Sequence, residues 1–297
     1  MKKSVFKGIG TALITPLNES GIDYDAFGRL IDWQIEEGVN ALIVCGTTGE
    51  GSTLTDEEHR AAIEFCVKKT NGRVPVIAGT GSNDTAYAIE LTKHACECGV
   101  DGVLVVTPYY NKATQKGLIS MFSAIADAST APVILYNVPS RTGCNLESGT
   151  VAVLADHPNI VGIKEASGNI SQIAETIRLV GDKIDVYSGN DDQIVPIMAL
   201  GGVGCISVLS NVLPKKSVQI CDEFLNGNVK ESANLQLELL PLINALFSEV
   251  NPIPVKSAMA AMGFCDEYVR SPLTVMEDAH RNLLFKEMEK QGITIKK

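Results

Sequence analysis

The sequence predicts an α/β protein in which eight strand–helix units close into a (β/α)8 TIM barrel, followed by a C-terminal helical appendage. Eight short β-rich runs recur, and most are continuously apolar, which is typical of parallel strands covered on both faces. Successive runs begin roughly 20–35 residues apart, the length of one strand and one crossover helix. A barrel fits eight such units better than an open doubly wound sheet does. The runs cover residues 10–16, 41–50, 74–82, 102–110, 132–143, 160–168, 185–191 and 204–212.

The segments between these runs carry the 3.6-residue repeat of amphipathic helices. Residues 23–38 place large apolar side chains on one stripe and end in a glycine. Residues 55–72 open with Thr55 as an N-terminal cap and an acidic first turn, and they close with lysines and Asn-Gly. Residues 83–99 and 169–181 repeat this plan, so we expect a helix after most of the strands.

This order divides the chain into a barrel over residues 1–212 and a helical region over residues 213–297. After the eighth run the sequence shows no further strand pattern. Residues 214–250 and 252–264 have helical character, and prolines beginning with Pro252 separate them. We expect these helices to pack on the barrel without a flexible linker.

Composition and charge narrow the function classes. The 297 residues are 45% hydrophobic and 20% charged, an ordinary globular balance, and the formal net charge is −10. Because no long basic run offsets it, this charge argues against nucleic acid or an anionic membrane as a partner. The sequence predicts neither a signal peptide nor a membrane span. Eight cysteines scattered through apolar segments indicate reduced thiols, so we expect a cytoplasmic protein.

Polar side chains collect where the predicted strands end, which is where barrels of this type build their active sites. Amide, hydroxyl, amine and carboxylate groups all occur among them. The strand-end residues are 46–50 after the second run, 107–111 after the fourth, Tyr136, Asn137 and Arg141 after the fifth, Lys164, Glu165 and Ser167 on the sixth, and 188–191 after the seventh.

Lys164 is unusual because it interrupts an apolar, β-branched run. Side chains alternate between the two faces of a strand. We therefore expect Lys164 to point into the barrel near its top, with Tyr136 at a similar height on the neighbouring strand. The predicted inward face comprises Ile160, Gly162 and Lys164, and the opposite face comprises Val161, Ile163 and Glu165.

An inward Lys164 suits covalent chemistry on a carbonyl compound. Burial removes hydration, which favours the neutral amine over the ammonium. A neutral amine is a nucleophile that forms a Schiff base. The alternative is that Lys164 turns outward and pairs with Glu165 or with a helix carboxylate. Periodicity alone leaves both orientations open.

Other motifs indicate ordinary structural roles. GTTGEGS (46–52) lacks the Gly-Lys-Ser/Thr ending of a phosphate-binding loop. His94, Cys96 and Cys98 are expected not to share one face of their helix, which argues against a metal site. Lys256 receives no catalytic role.

Five strand-end motifs and one helical motif carry a family resemblance: GTTGE (46–50), TPYYN (107–111), YNVPSRTG (136–143), IKEASGN (163–169), YSGND (187–191) and NPIPVKSAM (251–259). Together they resemble the dihydrodipicolinate synthase branch of the pyruvate-dependent class I aldolases. The match runs in order from about residue 5 to residue 275, nearly the whole chain. Five motifs at the right strand ends make it highly specific.

The resemblance implies a Schiff-base mechanism. Lys164 matches the lysine that binds pyruvate as an imine, which favours its inward orientation. Tyr136 resembles the family's proton carrier, and Thr47 and Tyr110 match the other members of its proton relay. By the same resemblance, Tyr110 is expected to enter the site of the neighbouring subunit.

Four further residues match substrate-binding positions of the family. Thr48 resembles the donor to the pyruvate carboxylate, and Gly189 and Ile206 match positions that shape the pyruvate pocket. Arg141 resembles the residue that receives the carboxylate of the second substrate, because a guanidinium offers two donors in one plane. The implied reaction condenses pyruvate with L-aspartate 4-semialdehyde to give 4-hydroxy-tetrahydrodipicolinate, on the diaminopimelate route to lysine. It implies no metal and no organic cofactor.

The resemblance also implies a homo-oligomer, either a tight dimer or a tetramer of two such dimers. Sensitive family members bind lysine in a cleft at the dimer interface. Asp56 and Tyr87 stand here in place of a histidine and a glutamate, so a bound lysine loses a carboxylate partner unless Asp56 supplies it. We expect weak or absent inhibition by lysine. The matching cleft positions are Gly51, Ser52, Asp56, His59, Asn83, Tyr87 and Tyr109.

Two other functions compete with this interpretation. A sibling enzyme, N-acetylneuraminate lyase or a 2-keto-3-deoxy sugar acid aldolase, shares the lysine and the tyrosine. Arg141, and GTTGE in place of GSTGE, favour the synthase. The other alternative is an inactive barrel that serves as a binding or scaffold protein. Intact Lys164, Tyr136, Thr47 and Arg141 argue against it.

Overall fold

The structure, a computed structural model, describes residues 4–296 and contains a closed barrel of eight parallel strands. Gly10 of the first strand lies opposite Ala41 of the second and Ile206 of the eighth, which closes the ring. The predicted (β/α)8 fold is confirmed, and each predicted run overlaps one barrel strand. The barrel strands are β1 (Gly8–Ala12), β2 (Ala41–Val44), β3 (Val76–Gly79), β4 (Gly102–Val106), β5 (Val133–Asn137), β6 (Ile160–Glu165), β7 (Asp185–Ser188) and β8 (Gly204–Ser207).

Helices surround this barrel and form the C-terminal region. A two-stranded antiparallel hairpin, Leu17–Asn18 with Gly21–Ile22, was not predicted from the sequence. The last helix was not predicted either. The helices are α1 (Tyr24–Glu36), α2 (Asp56–Thr70), α3 (Thr85–Glu97), α4 (Gln115–Ala128), α5 (Pro139–Thr142), α6 (Ser148–Leu154), α7 (Ile170–Val180), α8 (Ile194–Ala199), α9 (Pro214–Leu225), α10 (Val229–Leu246), α11 (Ile253–Ala261) and α12 (Asp278–Lys290).

The capping signals in the sequence place the helix ends. The Thr55 side chain accepts from the Glu58 N–H, and the Glu58 carboxylate accepts in return from the Thr55 N–H. This capping box satisfies two donors that a helix N-terminus otherwise leaves unpaired. Asn71 ends α2 in the left-handed conformation with φ of 49°. The predicted start and end of this helix are therefore confirmed.

The C-terminal helices continue the outer layer of the barrel. α9 packs against β1, and α10 packs against both α9 and α12. The division into a barrel over residues 1–212 and a helical region over residues 213–297 stays a prediction. The first helix of the second region, α9, packs directly on a barrel strand. Residues 1–3 and 297 of these two ranges lie outside the described part of the chain.

The barrel interior is filled by a separate apolar cluster, here called the inner cluster. One prediction about it is wrong: Val161 belongs to the inner cluster, and Ile160 packs outside with the helices. The register between β5 and β6 shifts by one residue there, since Ile160 pairs with Val133 and Gly162 with Ile134. The inner cluster comprises Phe6, Ala12, Ala41, Ile43, Ile77, Leu104, Ile134, Tyr136, Val138, Val161, Ala166, Tyr187 and Ile206.

The cysteines are free thiols, five of them buried and three half-buried. The predicted separation of His94, Cys96 and Cys98 is wrong for one pair, because Cys98 Sγ lies 3.4 Å from His94 Nε2. Residues four apart share a helix face. Cys96 points elsewhere, 3.5 Å from Ser129 Oγ. Across residues 4–296, no group of three His, Cys, Asp or Glu side chains is arranged to hold a metal ion.

Within the same residues, no helix combines the length and the apolar character needed to cross a membrane.

Candidate active site

Lys164 and Tyr136 lie side by side at the ends of neighbouring strands. They are direct register partners on β6 and β5. Lys164 Nζ sits 4.4 Å from the centre of the Tyr136 ring, and the lysine is only 6% exposed. An ammonium over an aromatic face is a favourable cation–π contact. Lys164 therefore points into the barrel, as the alternation of the strand predicts for this residue.

The outward alternative for Lys164 is wrong, because Glu165 lies on the opposite face of β6 in a network of its own. Asn137 Nδ2 lies 3.2 Å from both carboxylate oxygens of Glu165, and the Ser167 N–H donates to Oε1 at 2.8 Å. Asn137 Oδ1 also accepts from the Leu146 N–H. Burial raises the pKa of Glu165 above its ordinary value, and the hydrogen bonds oppose that shift. The network fixes the residues next to Tyr136 and Lys164 from outside the barrel.

A cavity of about 170 Å³ opens in front of Lys164. Its walls combine hydroxyl, guanidinium and amide groups with apolar side chains. Gly189 leaves room there, since a side chain on it would come within 3.0 Å of Lys164 Cε. The predicted residues Thr47, Thr48, Tyr136, Arg141, Lys164 and Gly189 all line this cavity, together with Ser140, Asn190, Phe247 and Asn251.

Asn251 connects two of the predicted binding residues. Its Nδ2 donates to Thr48 Oγ1 at 3.0 Å, and its backbone carbonyl accepts from Arg141 Nη2 at 3.3 Å. Asn251 itself is buried and lies between α10 and α11. Its motif, NPIPVKSAM, contributes to the family resemblance, but the sequence predicted no part for it in the site. Thr48 and Asn251 are 203 residues apart, so no local pattern could have joined them.

Asp191 is a second buried carboxylate close to the site. Its Oδ1 accepts from Ser207 Oγ at 2.5 Å, and its Oδ2 accepts from the N–H groups of Val208 and Leu209, each at 3.0 Å. Burial raises the pKa of Asp191, while these hydrogen bonds and the charge of Lys164 lower it. Asp191 thereby holds the end of β7 to the turn that follows β8.

A larger cavity of about 380 Å³ lies beside the first and shares Thr47, Tyr136 and Arg141 with it. Five of the seven predicted cleft positions line it: Gly51, Ser52, His59, Tyr87 and Tyr109. The other two contact lining residues. Asn83 Nδ2 donates to the Tyr109 carbonyl at 3.1 Å, and Asp56 Oδ1 accepts from the Tyr87 hydroxyl at 2.8 Å.

Among the residues predicted for catalysis and substrate binding, two line neither cavity. Ile206 belongs to the inner cluster and is fully buried. Tyr110 is 91% exposed and has a positive φ of 70°. The relay inferred for Thr47, Tyr136 and Tyr110 is not joined by hydrogen bonds among residues 4–296. Thr47 and Tyr136 share both cavities, whereas Tyr110 points away from the chain that carries it.

This arrangement suits the capture of a small keto acid. A lysine amine stands in a small cavity beside a phenol, which can transfer protons to and from a bound intermediate. Hydroxyl and guanidinium donors that line the same cavity suit carboxylates. The site lies at the carboxyl ends of the strands, where such barrels hold their active sites.

A sequence model of the Dihydrodipicolinate synthetase family matches residues 5–291. The chain belongs to this family. A 4-hydroxy-tetrahydrodipicolinate synthase from Lachnoclostridium phytofermentans is 57% identical over 292 residues, which are 98% of this chain and 99% of that one.

Solved structures of family members have the same fold. The dihydrodipicolinate synthase of Aquifex aeolicus superposes with a TM-score of 0.97 at 44% identity, covering 98% of this chain and 100% of that one. The enzyme of Acinetobacter baumannii, whose structure was solved in complex with pyruvate, gives a TM-score of 0.95 at 43% identity, with coverages of 98% and 100%.

The buried Glu165 carboxyl should make the stability of the folded protein depend on pH. Its pKa is raised in the folded protein above the ordinary 4.5. Between these two values the folded state keeps a proton that the unfolded state releases, so stability falls as pH rises through this window. We expect Glu165→Gln to lose that part of the slope. Chemical denaturation of both proteins at several pH values from 4.5 upward measures it, and parallel profiles contradict the assignment.

Proposed function

We propose that this chain is a 4-hydroxy-tetrahydrodipicolinate synthase that condenses pyruvate with L-aspartate 4-semialdehyde through a Schiff base on Lys164. The observation that carries the proposal is the buried Lys164 amine over the Tyr136 ring, facing a cavity lined by Thr48 and Arg141. The names of the curated relatives support the same reaction. The pyruvate complex of the Acinetobacter baumannii enzyme supports pyruvate as the first substrate.

The first half of the reaction loads pyruvate onto the enzyme. The Lys164 amine adds to the ketone carbon, and loss of water leaves an imine. The Thr48 hydroxyl and backbone N–H, with Asn251 behind the hydroxyl, bind the pyruvate carboxylate. Tyr136 gives a proton to the departing hydroxyl and regains it later. Loss of a methyl proton from the imine then gives an enamine, whose terminal carbon is the nucleophile.

The second half joins the two substrates and frees the lysine. The enamine carbon attacks the aldehyde carbon of aspartate semialdehyde, and the aldehyde oxygen takes up a proton. The amino group of the second substrate then adds to the imine carbon, and the Lys164 amine leaves. Arg141 receives the carboxylate of the second substrate at the cavity mouth. The imine serves as the electron sink, so the scheme uses neither a metal nor an organic cofactor.

We propose that two chains complete each site, in a dimer or a dimer-of-dimers tetramer. Tyr136 needs a route by which it exchanges protons with solvent, and the hydroxyl residue Thr47 lines both of the cavities that Tyr136 lines. Tyr110 is 91% exposed in the single chain, and an exposed tyrosine of this kind fits a partner's site. We also place the enzyme in the cytoplasm, a location that its free cysteines support.

We expect pyruvate with borohydride to label Lys164 and no other lysine, because reduction converts the imine into a stable amine. Peptide mass spectrometry locates the label, and Lys256, buried and paired with Glu50, serves as the internal control. Lys164→Ala should lose nearly all activity in an assay with pyruvate and aspartate semialdehyde. Label on another lysine with Lys164 unmodified refutes the mechanism, and faster cleavage of N-acetylneuraminate in a parallel assay favours the sibling lyase.

We expect Tyr110 to act in the partner's site, which a mixing experiment can test. Lys164→Ala and Tyr110→Phe should each be nearly inactive alone. In an equal mixture half of the dimers are mixed, and each mixed dimer regains one wild-type site, so about a quarter of wild-type activity should return. If Tyr110 acts within its own chain, mixing restores nothing. Sedimentation of the wild type should show no active monomer.

We expect L-lysine to inhibit weakly or not at all. Asp56, the candidate to replace the missing glutamate, already accepts from Arg60 Nε at 2.7 Å and from the Tyr87 hydroxyl at 2.8 Å. A missing charged hydrogen bond costs roughly 1.5–3 kcal/mol, or about one to two decades in affinity. Titration of L-lysine into the activity assay measures the effect. Tyr87→Glu should gain inhibition, and strong submillimolar inhibition of the wild type contradicts the prediction.

A further inference from the structure

A fully buried ion pair joins the loop after β2 to helix α11. Lys256 Nζ lies 2.5 Å from Glu50 Oε1, and the two side chains are 0% and 1% exposed. Lys256 also donates to the Tyr268 carbonyl at 2.7 Å, and Glu50 Oε2 accepts from the Arg270 N–H at 3.0 Å. Both charges therefore have partners from the segment that follows α11. Neither residue lines the cavity around Lys164.

Glu50 lies in the loop that carries Thr47 and Thr48, two residues after Thr48. Its φ is 54°, in the left-handed region that a glutamate rarely adopts, and its N–H donates to the Thr47 carbonyl at 3.1 Å. A strained residue of this kind persists only where its surroundings hold it. The ion pair to Lys256 is one such hold, and the Glu50 side chain has almost no exposed surface on which to relax.

Two residues near the start of helix α11 contact this loop. Lys256 holds Glu50, and Asn251, five residues earlier, donates to Thr48 Oγ1 at 3.0 Å. Thr48 and Glu50 are therefore both anchored by the same segment of the C-terminal region. A movement of Glu50 out of its left-handed conformation would turn the Thr47–Thr48 peptide relative to Lys164.

We propose that Lys256 and Glu50 form a positioning pair, which sets the loop after β2 so that Thr48 can bind the carboxylate of the keto acid held at Lys164. Neither residue touches substrate. This inference rests on the proposed function, because the group that the loop positions, Thr48, is the proposed donor to the keto-acid carboxylate.

Stability alone does not explain the pair. The free energy of removing two charges from water offsets most of the attraction between them. Well-packed apolar residues in the same place often stabilise a protein equally or more. Breaking the pair by one substitution leaves an uncompensated buried charge and lowers stability for that reason. A variant that replaces both charged residues by neutral ones leaves no unpaired charge. It therefore tests the positioning role without the stability loss that one unpaired charge causes.

The test compares wild type with the double variant Glu50→Gln/Lys256→Met. The amide oxygen of the introduced glutamine can still accept from the Arg270 N–H, so we expect the thermal midpoint to stay within a few degrees of wild type. The pyruvate concentration that gives half-maximal borohydride labelling of Lys164 should rise about tenfold or more, as for a misaligned charged hydrogen bond. Labelling at saturating pyruvate and the KM for aspartate semialdehyde should change little.

The controls assign each outcome. Glu175→Gln/Arg178→Met, which removes an exposed ion pair on α7, should change neither the midpoint nor the labelling. If the double variant fails to fold, Glu50→Asp serves, because it keeps both buried charges and shortens only the reach of the carboxylate toward Lys256. A folded variant with wild-type dependence on pyruvate overturns the positioning role and leaves the proposed function intact. A wild type that pyruvate and borohydride do not label overturns both.

Discussion

The candidate site depends on one feature of the barrel, the register between β5 and β6. Side chains alternate along a strand, so a slip of one residue exchanges its two faces. The register shift at Ile134 places one extra residue in β6, which turns Ile160 toward the helices and brings Gly162 and Lys164 to the inside. Gly162 is suited to this position because a side chain there would come within 3.2 Å of the Tyr187 ring. Lys164 then stands opposite Tyr136, and Glu165 is turned outward.

The placement of Lys164 inside the barrel and Glu165 outside it also sets which groups surround each charge. Two buried carboxylates, Glu165 and Asp191, lie near the lysine, and neutral donors satisfy both of them. Among residues 4–296, neither carboxylate forms an ion pair with Lys164. The two carboxylates thus anchor strand ends, while Lys164 lines the cavity beside Tyr136.

Much of this could be predicted from the sequence, because the signals are local. Continuous apolar runs indicated the eight strands, the Thr55 cap indicated the start of α2, and Lys164 stood out as an amine in an apolar run. What could not be predicted depends on distant contacts. The register shift requires knowledge of β5, and the role of Asn251 requires a contact across 203 residues. The exposed, polar character of α12 gives only a weak amphipathic signal.

The contact between Asn251 and Thr48 has a consequence for the order in which the chain becomes competent. A ribosome releases the strands in sequence, so β1 to β8 are available well before α11 emerges. A nascent barrel can already carry Lys164 beside Tyr136, yet the loop after β2 still lacks both of its C-terminal anchors. The loop that carries Thr48 therefore reaches its final arrangement only when the C-terminal helices dock. The last part of the chain to be synthesised thus completes the wall around a lysine that was made much earlier.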